Sequence, residues 1–294
     1  MMYQSIIIGK GPAGLQAAIY LARARLNILL IGLDTGSLLR AEKVDNYYGM
    51  SIPLSGPALQ KIGENQVGKL GVEIMNASAV GLGYLDSGFF VLTPDDKFTG
   101  ETILIATGST RVKIPIEGLA RLEGRGVSYC AVCDGFFYRD KRVGVLGYSD
   151  YAVQEALELK AITEDVTIFT NGRKLEINSE AAKKHVNQFR IVADPVSALV
   201  GEDKLAAIRL GDGSEQQLDG LFIAYGIAGS SDFAKKLGVA LTSDGSIATD
   251  IKQATNIPGV YAAGDCTGGF RQIATAVGQG AVAAKSILAF IKEK

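Results

Sequence analysis

What most constrains the fold of this chain is a strand, glycine turn and helix start that occurs twice. The first copy reads Ser5-Ile6-Ile7-Ile8, then Gly9-Lys10-Gly11-Pro12-Ala13-Gly14. An apolar-periodic run over 15–24 and a second strand at 28–31 follow. The second copy has a strand over 142–146, the turn Gly147-Tyr148-Ser149, a helical run over 152–160 and a strand over 166–169. Strand, tight turn, helix and strand make the crossover unit of a parallel sheet, so each copy predicts a βαβ unit. Two copies about one domain apart in 294 residues predict two α/β domains, possible products of duplication. Strand-like stretches at 89–92 and 102–106 lie between them. The string Gly259-Val260-Tyr261-Ala262-Ala263-Gly264-Asp265, ahead of a long helix, returns to the character of the first copy. The simplest arrangement is a discontinuous first domain, 1–111 plus 240–294, with 112–239 inserted and the crossings at 110–115 and 238–242.

The first glycine loop carries a binding expectation. Gly9 permits the tight turn, Gly11 lets the backbone approach a pyrophosphate, and Gly14 lets helix and strand pack closely. Pro12 and Ala13 open the helix, whose N-terminus supplies positive potential. Asp34 follows at the spacing of a residue that accepts from a ribose hydroxyl. The plainer reading is a turn with no ligand, but the βαβ context favours a dinucleotide. The loop alone does not separate FAD from NAD. Gly264-Asp265, at the end of a strand, can fix a polyol hydroxyl or a phosphate. With the Ala106-Thr107-Gly108 turn it forms a three-part constellation that favours FAD.

Cys130-Ala131-Val132-Cys133-Asp134-Gly135 is the most chemically pointed feature. Two cysteines three apart can close a small disulfide ring, and a thiolate in such a motif exchanges readily with an external dithiol. Zinc would need two further ligands. Only Cys266 and the single histidine, His185, are candidates, so no metal site is expected. Exchange needs a proton for the departing sulfur. Asp134 is a better acid–base candidate than His185, which sits in the charged run Lys183-Lys184-His185. The plainer role for Asp134 is to cap the helix that follows. Cys266 reads as a small buried hydrophobe.

The net charge of −1 offers no field for nucleic acid or an anionic membrane. Residues 1–5 carry no charged run of the kind a signal peptide shows, and the apolar stretch 273–291 is broken by Gln279 and Lys285. That stretch reads as a buried helix, and the expected setting is cytoplasmic.

The ordered motifs Gly9-Lys-Gly-Pro-Ala-Gly14, Val44-Asp-Asn46-Tyr-Tyr-Gly49, Ala106-Thr-Gly108, Cys130-Ala-Val-Cys133-Asp134, Gly264-Asp265 and Arg271-Gln272 resemble the low-molecular-weight thioredoxin reductases. The resemblance covers nearly the whole chain. It implies two Rossmann-like three-layer α/β domains, the second inserted into the first, with FAD in the first, the dithiol in the second, and a homodimer. By position Asn46, Asp265, Arg271, Gln272 and the neighbouring Ile273 would contact FAD. Cys133 would face the flavin ring, Cys130 would attack the disulfide of thioredoxin, and Asp134 would donate the proton. The family also implies a rotation that presents the dithiol to flavin and to thioredoxin in turn.

The pattern breaks at the second glycine loop. The family has Gly-x-Gly-x-x-Ala for NADPH, whereas Ser149 replaces the middle glycine here and Tyr148 adds bulk. The family's His-Arg-Arg grip on the 2′-phosphate is replaced by Thr170-Asn171-Gly172, with Arg173 and Lys174 displaced. This departure resembles the ferredoxin-dependent flavin thioredoxin reductases, and it implies reduced ferredoxin as donor. Alternatives are NAD(P)H at a divergent site, a second flavin stacked on Tyr148 or Tyr151, and a flavin-binding redox sensor without turnover.

Overall fold

The computed structural model describes residues 2–34, 36–108, 114–226 and 228–293, with the backbone alone for Val132, Cys133 and Ser231. Two compact units are present, Met1–Thr110 with Gly229–Lys294, and Arg111–Ala228. The crossing expected at 110–115 falls largely outside the described residues.

In the first unit the order is β1 (Met2–Ile8), α1 (Pro12–Arg23), β2 (Ile28–Ile31), α2 (Gly56–Gly68), β3 (Glu73–Met75), β4 (Gly81–Leu85), β5 (Gly88–Leu92) and β6 (Lys97–Ile105). The sheet runs β3-β2-β1-β6-β5-β4. The β1–β2 and β1–β6 pairs are parallel, with Ile8 opposite both Ile31 and Ile105. Strand residues 5–8 and 28–31 are all buried. Parallel strands are covered on both faces, so they read as unbroken apolar runs rather than alternating ones. Pro12 starts α1 where its missing N–H loses no hydrogen bond. Gly9 has φ 113°, and a Cβ there would lie 2.2 Å from the Ala106 carbonyl oxygen.

The second unit contains α3 (Leu119–Leu122), β7 (Val127–Ser128), α4 (Ala131–Asp134), β8 (Val143–Leu146), α5 (Asp150–Lys160), β9 (Val166–Phe169), α6 (Glu180–His185), β10 (Arg190–Val192), β11 (Val196–Val200), β12 (Ala207–Leu210), β13 (Glu215–Gln217) and β14 (Gly220–Ile223). Its main sheet is β10-β9-β8-β14-β7, all parallel. A separate antiparallel sheet, β11-β12-β13, packs Leu199 and Ile208 into the same core as Leu146, Phe169 and Leu221.

The chain then returns to the first unit through α7 (Ser230–Leu237), β15 (Val260–Ala262) and α8 (Ile273–Glu293). The return begins at Gly229 rather than at 240, because α7 packs against β4 and the Tyr84 hydroxyl donates to the Leu237 carbonyl at 2.5 Å. Strand β15 pairs with the last residues of β6, whose first residues pair with β5. Helix α8 is long and apolar enough to cross a membrane by length and composition, and 28% of that apolar window is buried. The expectation of a buried helix therefore holds for one face only, where Ala276, Gly280, Ala283, Ala284 and Ile287 are buried and the helix packs on α1.

Gly9→Ala is expected to destabilise the protein by more than the cost of one strained backbone position, about 1–3 kcal/mol, because its Cβ would also lie 2.2 Å from the Ala106 carbonyl oxygen. A melting temperature equal to that of the parent would contradict this account of the turn.

Candidate functional site

Parallel register brings the C-terminal ends of β1, β2, β6 and β15 into line, and the turns that leave them form one edge. Gly9 donates its N–H to the Ile31 carbonyl at 2.7 Å, Ala106 to Ile8 at 2.7 Å, and Ala263 to Ile105 at 3.0 Å. The Gly9–Gly14 loop therefore lies against Ala106-Thr107-Gly108. A Cβ on Gly264 would meet the Ala13 methyl at 3.1 Å. The three-part constellation of the sequence is a single site in space. Asn46 and Gln272, far apart in the chain, join through a 3.1 Å hydrogen bond from Asn46 Nδ2 to Gln272 Oε1. Ile273 begins α8 directly after Arg271 and Gln272.

Two features of this edge suit a bound dinucleotide. A Cβ on Gly11 would meet no protein atom within 4 Å, so the protein's own packing does not demand glycine there. The space in front of Gly11 suits a pyrophosphate at the N-terminus of α1, which Gly11 caps without a side-chain hydrogen bond. Thr107 Oγ1 is buried without a hydrogen-bond partner, as a group awaiting a ligand would be. Burial raises the Asp265 carboxyl above its ordinary range, and Arg271 partly offsets this. Gln279, which breaks the apolar run of α8, accepts from the Gly264 N–H at 2.8 Å and so shapes the same turn.

Asp34 is paired with Lys10 of the glycine loop at 2.6 Å. The Lys10 ammonium, 6% exposed, also reaches Glu64 at 3.4 Å and Asn76 Oδ1 at 3.2 Å. Sequence reasoning missed this lysine. The available signal was a charged side chain inside a turn otherwise made of small residues.

In the second unit, Cys130 is disulfide-bonded and 3% exposed, while the Cys133 side chain lies outside the described residues. Asp134 does not cap the helical turn after it. Its Oδ2 instead accepts from the Ser128 hydroxyl at 2.6 Å, and Ser128 Oγ accepts from the Cys130 N–H at 3.1 Å. Ser128 thus ties the expected proton donor to the backbone of the expected nucleophile. Its only signal in the sequence is its place two residues before Cys130. His185 ends α6, with Nδ1 and the Gln188 amide nitrogen 2.8 Å apart. Among the described residues no cluster of three or more His, Cys, Asp or Glu could hold a metal. Cys266 is free and buried, its sulfur near the carbonyls of Ala263 and Ile105, and burial pushes its thiol up to about 12.

The second glycine loop is closed by the protein itself. The Ser149 hydroxyl donates to the Gly226 carbonyl, and Glu176 donates its N–H to the Tyr148 carbonyl at 2.7 Å. Asp150, in the first turn of α5, accepts from the Asn178 N–H at 3.1 Å and from the Ser179 N–H at 3.2 Å. The first turn of α5 thus carries a negative charge, which disfavours a second anion at that helix end. The Tyr148 ring packs edge-on against Tyr225 at 5.0 Å, and the Arg173 guanidinium lies 4.9 Å over its face. Asn171 reaches the Tyr225 hydroxyl at 3.4 Å. The displaced arginine of the sequence is therefore stacked on the protein's own tyrosine, and Tyr148 packs as an ordinary buried ring.

Residues 3–280 match the family model described as pyridine nucleotide-disulphide oxidoreductase. The thioredoxin reductase of Treponema pallidum (strain Nichols) is 34% identical over 303 residues, covering 98% of this chain and 97% of that protein. Among solved structures, the atypical thioredoxin reductase TRi from Desulfovibrio vulgaris Hildenborough is 41% identical with a TM-score of 0.95, covering 100% of this chain and 99% of that one. A ferredoxin-flavin thioredoxin reductase from Clostridium acetobutylicum is 31% identical with a TM-score of 0.75, at 100% and 99% coverage.

Alkylation followed by mass mapping is expected to leave Cys266 unmodified in the folded protein near neutral pH and to modify it after unfolding. Rapid labelling in the folded protein would contradict its burial.

Proposed function

As the chain belongs to the pyridine nucleotide-disulphide oxidoreductases, in their thioredoxin reductase branch, we propose that reduced ferredoxin is its electron donor and that electrons pass through FAD and a Cys130–Cys133 disulfide to thioredoxin. FAD is the cofactor of this family, and the Gly11 gap and the unpartnered Thr107 hydroxyl suit it. The observation that carries the choice of donor is the altered second loop. Ser149 stands where a glycine would let a pyrophosphate approach and is tied to the Gly226 carbonyl, Asp150 is tied to the 178–179 turn, and Arg173 is engaged by Tyr148. Likeness to the Clostridium acetobutylicum enzyme supports the same choice.

FAD, when bound, would supply the two electrons that open the Cys130–Cys133 disulfide, and two protons then convert its sulfurs to thiols. Cys130 gives its proton to the Asp134 carboxylate and, as thiolate, attacks one sulfur of the thioredoxin disulfide. A mixed disulfide forms, and the other thioredoxin sulfur leaves as a thiolate, which Asp134 protonates. Cys133 then attacks the Cys130 sulfur as its own proton passes by way of Asp134 to the departing thioredoxin sulfur, restoring the ring and releasing thioredoxin with both thiols reduced. A sulfur as buried as that of Cys130 must be uncovered before a protein-sized disulfide reaches it. Phe136 and Phe137, each 68% exposed just after the dithiol, offer apolar contact to such a partner. Asn46, Asp265, Arg271, Gln272 and Ile273 hold FAD in this reading, and Asp34 takes its ribose. A homodimer, as the motif resemblance implies, and a cytoplasmic setting belong to the same proposal.

Cys130→Ser is expected to abolish thioredoxin reduction while leaving the flavin bound. Asp134→Asn is expected to lower turnover by about a hundredfold, the scale of a lost general acid. In an anaerobic absorbance titration, reduced ferredoxin should bleach the flavin and neither NADPH nor NADH should. Bleaching by stoichiometric NADPH would instead establish a pyridine-nucleotide-dependent enzyme with a divergent site.

A further inference from the structure

A second carboxyl group reaches the dithiol turn from outside it. Glu155 lies in the middle of α5 and is 1% exposed. Such burial is unfavourable for an acidic side chain unless its oxygens are satisfied. Glu155 Oε2 accepts from the Ala131 N–H at 2.9 Å. Ala131 is the first residue of α4, is itself fully buried, and follows Cys130 directly. The preceding amide, that of Cys130, is held by Ser128. Two consecutive peptide N–H groups at the redox cysteine are therefore fixed by two side chains, one from within the turn and one from α5.

Glu155 is the more informative of the two because of what α5 is attached to. The helix starts at the closed glycine loop, with Ser149 bound to Gly226 and Asp150 bound to the 178–179 turn. An anchored helix presents its carboxyl group to Ala131 at a constant position.

We propose that Glu155 is a positioning residue for the dithiol: through its hydrogen bond to the Ala131 amide it sets where the Cys130 sulfur stands. The proposal rests on the dithiol chemistry argued above, and it assigns Glu155 no contact with substrate or flavin. The relevant property is an acceptor oxygen at the correct reach. Glu155→Gln keeps an acceptor at the same distance without the charge. Glu155→Asp keeps the charge on a side chain one methylene shorter, which withdraws the acceptor.

The experiment uses the FAD-loaded enzyme and reads two quantities. The first is turnover with thioredoxin, using whichever donor the flavin titration identifies. The second is the pH profile of iodoacetamide alkylation of Cys130 in dithiothreitol-reduced enzyme, followed by mass mapping, which requires neither donor nor thioredoxin. Glu155→Asp is expected to lose about tenfold in kcat at unchanged KM for thioredoxin, the scale of a displaced reacting group, and to shift the alkylation profile. Glu155→Gln should keep kcat within about twofold and leave the profile in place. Parental behaviour of Glu155→Asp in both readouts overturns the proposal. Equal failure of Glu155→Gln, at parental flavin content and melting temperature, also overturns it. If the parent reduces no thioredoxin at all, the functional reading fails, while the alkylation profiles still decide the role of Glu155.

Discussion

The register of the parallel strands is the constraint on which the first unit depends. With Ile8 level with Ile31 and Ile105, the turns after β1, β6 and β15 emerge at one edge. No long side chain is needed to gather them, since backbone pairing does so. A one-residue slip would turn each buried strand residue to the opposite face and separate Gly9 from the Ala106 carbonyl. The Gly11 gap, the Thr107 hydroxyl and the Gly264 turn are all consequences of that alignment.

The same secondary-structure pattern gives a different outcome in the second unit. Its strands are also parallel and in register, and its turn also places a glycine, Gly147, against a neighbouring carbonyl, that of Ala224. The difference lies two residues later. Gly11 leaves room in front of its helix, whereas Ser149 spends its hydroxyl on Gly226. Further along the same helix, Glu155 reaches the Ala131 amide beside the dithiol, while Asp150 in its first turn holds the 178–179 turn.

Features set by backbone geometry were legible in the sequence. The two βαβ starts, the long apolar strands and the three turns of the first site follow from apolar runs and glycine spacing, and each is found where those signals place it. Features made by side chains from distant segments were not legible. Asp134 could equally have capped the next turn, and only the position of Ser128 decides otherwise. Arg173 looked merely displaced until the packing of Tyr148 against Tyr225 gave it a face to stack on. The return of the chain at Gly229 depends on α7 finding β4, a contact no local pattern announces.

The closure of the second loop also bears on how such a site can change over generations. Tyr148 and Ser149 are tied to the Tyr225–Gly226 segment and Asp150 to the 178–179 turn. Restoring glycine at position 149 alone would still leave a carboxylate at the helix end and a stacked tyrosine beside it. Each such change would give up a satisfied contact before any ligand could replace it, so the local contacts of this loop make its present form self-reinforcing.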